Sequence, residues 1–150
     1  MGHIVEQDGV RVDTKNIQAM QEWQCPKTLK SLHGCLGLTR YYRKFVKKYG
    51  KTAGPLKNLL KKNAFTWNDA IEQAFSTLKQ AMYATRVLAI LEFTKPFVFE
   101  CDALGIGLGT ILTQEGRPLI FISKQLCDQN LRKFTFEKEM IVILHAVDTW

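Results

Sequence analysis

Three patterns in the sequence predict an α+β fold. Gly2 to Val12 alternates apolar and polar residues around Asp8-Gly9, a turn pair that tolerates positive φ, and reads as a hairpin. From Thr14 to Tyr83 apolar residues recur at spacings of three and four, the period of helices with one buried face. Beyond Tyr83 come short β-rich runs separated by Gly-rich or polar breaks, then one last helical stretch. The expected architecture is an N-terminal hairpin and a helical unit, followed by a three-stranded antiparallel meander with one helix.

Asp13 can cap a first helix from Thr14 to about Trp23, with Ile17, Ala19, Met20 and Trp23 along one side and Pro26 closing it. Thr28 can cap a second, in which Leu29, Leu32, Leu36 and then Cys35, Leu38, Tyr42, Phe45 and Tyr49 keep helical spacing. Gly50 to Pro55 breaks that pattern, and Pro55 suits the first position of a short helix bearing Leu56, Leu59 and Leu60. Asn68 or Asp69 caps a fourth, whose stripe is Ile71, Ala74, Phe75, Leu78 and Met82. The strands are expected at Phe97 to Cys101, Ile106 to Thr113 and Pro118 to Ser123, with Glu115-Gly116 turning between the last two. A final helix starts near Phe134 and carries Met140, Ile141, Leu144 and Val147. The boundary between the two halves falls within residues 83 to 95.

The 150 residues are 46% apolar and 23% charged, enough for a core and too mixed for wholesale disorder. No apolar run approaches the roughly eighteen residues that span a bilayer, and no secretory signal is visible, so no membrane partner is expected. Cys25, Cys35, Cys101 and Cys127 are scattered without C-x-x-C spacing and read as reduced thiols of an intracellular protein. Gly105-x-Gly107-x-Gly109 leads into strand-like Thr110-Ile111-Leu112, so it reads as a hairpin turn rather than a dinucleotide loop.

Charge is distributed unevenly. Residues 26 to 62 hold eleven of the 21 basic residues and no Asp or Glu, leaving ten bases and fourteen acids elsewhere. The whole net charge of +7 therefore resides in one block, with Tyr41, Tyr42, Phe45 and Tyr49 interleaved. A basic face carrying aromatic bodies is the electrostatic footprint of a protein that holds a phosphate backbone.

Two carboxylates stand out in the second half. Asp102 directly follows the first predicted strand, and Glu139 lies one turn into the final helix among apolar neighbours. Such a pair can converge on a metal ion, and hard oxygen ligands suit magnesium or manganese. Residue types alone leave open a turn residue at Asp102 and an exposed helical charge at Glu139.

The run Leu36-Gly37-Leu38-Thr39-Arg40-Tyr41-Tyr42-Arg43-Lys44-Phe45-Val46 resembles the thumb of reverse transcriptases from gypsy-class LTR retrotransposons. Gly2-His3-Ile4-Val5, Glu22-Trp23, Pro55-Leu56, Leu59-Leu60-Lys61-Lys62 and Phe65-Thr66-Trp67 fit the same family. Val87-Leu88-Ala89, Lys95-Pro96-Phe97, Glu100-Cys101-Asp102-Ala103 and Gly107-Leu108-Gly109 are similar to the start of its ribonuclease H domain. Gly116-Arg117-Pro118, Phe121-Ile122-Ser123-Lys124 and Phe136-Glu137-Lys138-Glu139 continue in the family's order, and the blocks cover essentially the whole chain. Two positions depart: Leu104 stands where a Ser is common, and Cys35 where a Phe is usual.

The resemblance implies a palm-edge hairpin at 1–13, a helical thumb and connection at 14–83, and the N-terminal part of a truncated ribonuclease H-like domain at 84–150. It implies a thumb helix that binds RNA–DNA hybrid or primer–template duplex through Gly37, Arg40, Tyr41, Arg43, Lys44, Lys47 and Lys48. Gly37 and Tyr41, four apart, share a helix face. It also implies that Asp102 and Glu139 are remnant catalytic carboxylates and ligands for Mg2+ or Mn2+. Glu137 lies about 200° around the helix from Glu139 and cannot share that role. The polymerase aspartates are expected before Met1 and the remaining ribonuclease H aspartates after Trp150, so binding without activity is the leading expectation. The alternatives are a magnesium-dependent ribonuclease H completed by dimerisation, and a host-adopted, non-catalytic interaction module. An uncovered sheet edge would also permit self-association.

Overall fold

The computed structural model describes the chain apart from residues 1, 86, 105, 106, 127 and 150, and without side chains for 102–107, 124, 125, 127, 128 and 145–150. Strands β1 (His3–Glu6) and β2 (Gly9–Val12) form the expected hairpin, with Glu6 opposite Gly9. Gly9 is the first residue of β2 rather than part of the turn, and its φ is 151°. A Cβ there would lie 2.3 Å from the Leu88 carbonyl oxygen. This close approach lets Val10 exchange two backbone hydrogen bonds with Leu88, at 2.7 and 2.8 Å, tying the hairpin to the connector beyond the helices.

Helix α1 (Thr14–Glu22) is capped by Asp13, whose carboxylate accepts from the Lys15 N–H at 3.0 Å. Helix α2 (Leu29–Tyr41) starts under Thr28, whose hydroxyl accepts from Ser31 N–H. Both caps fall where the sequence places them. The second helix does not run on to Tyr49, however. It ends at Tyr41, a 3₁₀ turn follows at Arg43–Phe45, and Lys48 takes the left-handed conformation at φ 60°. Helix α3 (Tyr49–Asn58) begins there, six residues earlier than expected, and Pro55 lies inside it. Ten residues of straight helix would hold Thr39 and Tyr49 about 15 Å apart. The reversal instead brings their hydroxyls to 2.9 Å, and Tyr42, Phe45, Val46 and Tyr49 all turn into the core.

Helix α4 (Asp69–Tyr83) is capped by Asn68, which accepts from Ile71 N–H at 3.0 Å, so Asp69 is its first residue. Phe75, Leu78 and Met82 are its buried stripe, and it packs on α1 and α3. The meander runs β3 (Val98–Leu104), β4 (Gly107–Gln114), β5 (Arg117–Gln125), antiparallel in that order. Strands β3 and β5 are longer than expected, and β4 is displaced by one residue. Asp102 therefore lies within β3, opposite Gly109, rather than after it. A register shift at Leu112/Thr113 sits opposite Pro118, which has no N–H to give the ladder. A short helix α5 (Asp128–Leu131) and helix α6 (Thr135–Thr149) complete the chain.

The sheet is built against the helices. Phe121 of β5 belongs to the same apolar cluster as Leu32, Tyr42, Leu56 and Phe75, with Ile111 packed beside it. Gly50 N–H donates to Ser123 Oγ at 2.7 Å, joining α3 to β5. A smaller cluster of Leu108, Leu126 and Val142 seats α6 on the sheet. Gln114, buried on β4, accepts from Glu92 N–H and donates to the Glu92 and Lys95 carbonyls at 2.8 and 2.9 Å, fastening the connector ahead of β3.

Replacing Gly9 by Ala should force the hairpin off Leu88 and cost about 2 to 4 kcal/mol of stability, read as a lower urea midpoint. An unchanged midpoint would mean that this contact contributes little.

Candidate nucleic-acid interface

The reversal after α2 sorts its residues by chemistry. Because Tyr42, Phe45, Val46 and Tyr49 point inward, the intervening cations must point outward: Arg40, Arg43, Lys47 and Lys48 are exposed and Lys44 is half-buried. The set inferred from sequence is thus presented together, but on three consecutive elements rather than one helix. Gly37, Arg40 and Tyr41 stand on α2, Arg43 and Lys44 on the 3₁₀ turn, and Lys47 and Lys48 on the following bend. Tyr41, 42% exposed, sets its ring edge-on to buried Tyr42 at 4.8 Å.

Gly37 and Gly34 differ in what surrounds them. A Cβ at Gly34 would meet the Trp23 ring at 3.5 Å, an ordinary contact. A Cβ at Gly37 would meet nothing within 4 Å, and the residue is exposed. A mid-helix glycine costs about 1 kcal/mol relative to alanine, and no intramolecular packing offsets that here. The open backbone lies one turn from Tyr41.

Beneath this surface is a buried polar link. Thr39 donates its hydroxyl proton to the Leu36 carbonyl at 3.2 Å, so Tyr49 is the donor in the 2.9 Å contact between the two hydroxyls. Burial pushes the Tyr49 phenol above its usual pKa. Lys57 of α3 sets its ammonium over the Tyr49 ring, 5.0 Å from the centroid. Burial lowers the Lys57 pKa, and the nearby Arg43 and Arg40 lower it further. Sequence reading does not connect Lys57 with these groups, because it places a break where α3 begins. With α3 starting at Tyr49, Lys57 is two turns on and returns to the same face.

Where the basic bend meets the sheet there is a cavity of about 230 Å3, lined in part by Lys47, Lys48, Glu100, Cys101, Thr110 and Phe121. The Asp102 side chain lies outside the described residues, and so does its relation to Glu139. Glu139 itself is exposed on α6, which packs on β3. Glu137 has a different role: its carboxylate accepts from Phe134 N–H at 2.9 Å and faces Lys133 at 3.8 Å, capping α6. Among the described residues no group of three or more His, Cys, Asp or Glu could hold a metal ion. Among the described residues, no helix is long and apolar enough to cross a membrane.

Residues 67–150 match the family described as the RNase H-like domain found in reverse transcriptase. The whole chain is similar to Pol polyproteins of Drosophila melanogaster transposons. It is 35% identical to that of opus, aligned over 99% of this chain and 16% of the polyprotein. It is 32% identical to that of gypsy, over 98% of this chain and 16% of the polyprotein. The chain thus spans about a sixth of the length of these relatives. In fold it is similar to the foamy viral protease-reverse transcriptase in complex with RNA/DNA hybrid. That likeness has a TM-score of 0.90 at 21% identity and covers 99% of this chain and 21% of that one.

The thiols near the interface should differ in reactivity. Burial pushes the Cys35 pKa up to about 11, whereas Cys101 is exposed beside the cavity. At pH 8 a brief iodoacetamide pulse followed by peptide mass spectrometry should label Cys101 and spare Cys35 until urea unfolds the chain. Early labelling of Cys35 would contradict the packing of α2.

Proposed function

The chain belongs to the family of RNase H-like domains found in reverse transcriptases, and from that premise we propose that it binds RNA–DNA hybrid or primer–template duplex. Residues 1–13 act as the edge of a palm, 14–83 as a thumb and connection, and 84–150 as the front of the ribonuclease H-like domain. The observation that carries the reading is the one-signed surface on the reversal after α2. Arg40, Tyr41, Arg43, Lys47 and Lys48 are exposed together, in a segment with no Asp or Glu from residue 26 to 62. A solvated surface would ordinarily mix charges to limit self-repulsion. The cations contact phosphates, while the open backbone at Gly37 and the Tyr41 ring meet the sugars of the groove. The hybrid held by the foamy viral protein of the same fold supports the choice of duplex.

On this reading Asp102 and Glu139 are the family's first two ribonuclease H carboxylates. Binding, rather than cleavage, is the activity assigned to the chain by itself.

The logarithm of affinity for a hybrid duplex should fall linearly with the logarithm of salt concentration, with a slope of about −0.9 per phosphate neutralised. Replacing Arg43, Lys44, Lys47 and Lys48 together by Gln should flatten that slope by about 3.6 while leaving the circular dichroism spectrum unchanged. Affinity indifferent to salt, or an unchanged slope in the quadruple variant, would overturn the proposal.

A further inference from the structure

We propose that a second cavity, between the hairpin, the 3₁₀ turn and the sheet, is a binding site for a small aromatic carboxylate, with Lys44 as its anchor. It holds about 210 Å3 and shares no lining residue with the cavity beside Cys101. Leu88, Leu112, Leu119 and Ile120 border it, and among its described lining residues only His3 and Lys44 are polar. The irregularity in the β4–β5 ladder shapes this space. Leu112 pairs with Ile120 and Thr113 with Pro118, which leaves Leu119 as an extra residue without a partner on β4. Successive residues of a regular strand face opposite sides, but at this bulge Leu119 and Ile120 both border the cavity. Hydrogen bonds fix the walls. Val10 and Leu88 exchange two, and Ala89 N–H donates to the Pro118 carbonyl at 2.7 Å. These ties hold hairpin, connector and sheet at set distances, so the cavity is preformed.

The lining selects the ligand. An apolar interior disfavours a nucleobase or a sugar, whose polar edges would give up hydrogen bonds to water without replacement. An apolar cavity of roughly 150 Å3 accepts a benzene ring, so this one suits a substituted or fused ring. Lys44 sets the charge. Its half-buried side chain places the ammonium over the Phe45 ring, 5.3 Å from the centroid, and it is in no ion pair among the described residues. A carboxylate on the ligand would pair with this ammonium while the ring displaces water from the leucines. Neither argument uses the duplex, so the inference stands apart from the reading above, although both call on Lys44.

The experiment titrates the chain with naphthoate and follows the amide NMR spectrum of nitrogen-labelled protein. Shifts should saturate with a dissociation constant of about 1 mM, the scale expected for a ligand of this size, and concentrate at Leu88, Ala89, Leu112, Leu119 and Ile120. Lys44→Gln should weaken naphthoate about fivefold and leave binding of neutral naphthalenemethanol unchanged. Lys15→Gln, a charge control on α1, should alter neither. Leu119→Trp should fill the cavity and abolish binding of both compounds. Shifts that fail to saturate, or that spread over the basic bend, would overturn the site. So would naphthoate affinity retained in a Leu119→Trp chain that keeps a folded spectrum. Should Leu119→Trp unfold, the lysine variants decide: equal losses in Lys44→Gln and Lys15→Gln, or none in either, would reject the anchor and the proposal with it.

Discussion

The reversal between Thr39 and Tyr49 is the constraint on which the rest of the architecture depends. Within ten residues the chain buries Tyr42, Phe45, Val46 and Tyr49 while exposing most of the cations that alternate with them. Each buried ring or branched chain removes apolar surface worth about 2 kcal/mol from water. That gain offsets the left-handed backbone at Lys48, a conformation uncommon for a side chain with a Cβ. The hydroxyl pair under the turn prevents Tyr49 from being an unsatisfied polar group in the core, which would otherwise cost about 1 to 3 kcal/mol. Sorting by polarity at this one place produces both the centre of the core and the charged surface above it.

The reversal also explains what the sequence could and could not reveal. Caps were legible at Asp13 and Thr28, where short polar side chains have one obvious task, and to within one residue at Asn68 and Asp69. Helix α4 and the three-stranded meander were legible from periodicity. The end of α2 was not, because Leu38, Tyr42, Phe45 and Tyr49 keep helical spacing straight through the turn. No Gly or Pro marks the break. Lys48 takes positive φ under tertiary pressure, against its local preference. Gln114 was equally silent: its three bonds reach residues about twenty positions away, and nothing local distinguishes it from an exposed strand glutamine.

The candidate sites were legible to different degrees. The basic block could be gathered from charge counting, the particular set within it came from the resemblance, and the structure places that set on three elements in place of one. Lys57 escaped notice because its neighbours depend on where α3 begins. The carboxylates were nominated by resemblance, and the structure adds a reason to separate Glu137 from Glu139: the former is committed to the N-terminus of α6. Electrostatically, the acid-free basic segment adjoins a sheet whose first strand presents Glu100, so opposite charges meet along the cavity.

Phe121, 6% exposed, packs into the core of the helical half, with Ile111 of its own sheet beside it. Modular evolution usually exchanges pieces whose cores close on themselves. Here the seam runs through a shared interior, so a recombination event that grafted the strands onto a foreign helical unit would strand an aromatic ring in water. The two halves are therefore expected to travel through genomes as a single cassette, co-inherited because Phe121 of the sheet closes the interior of the helices.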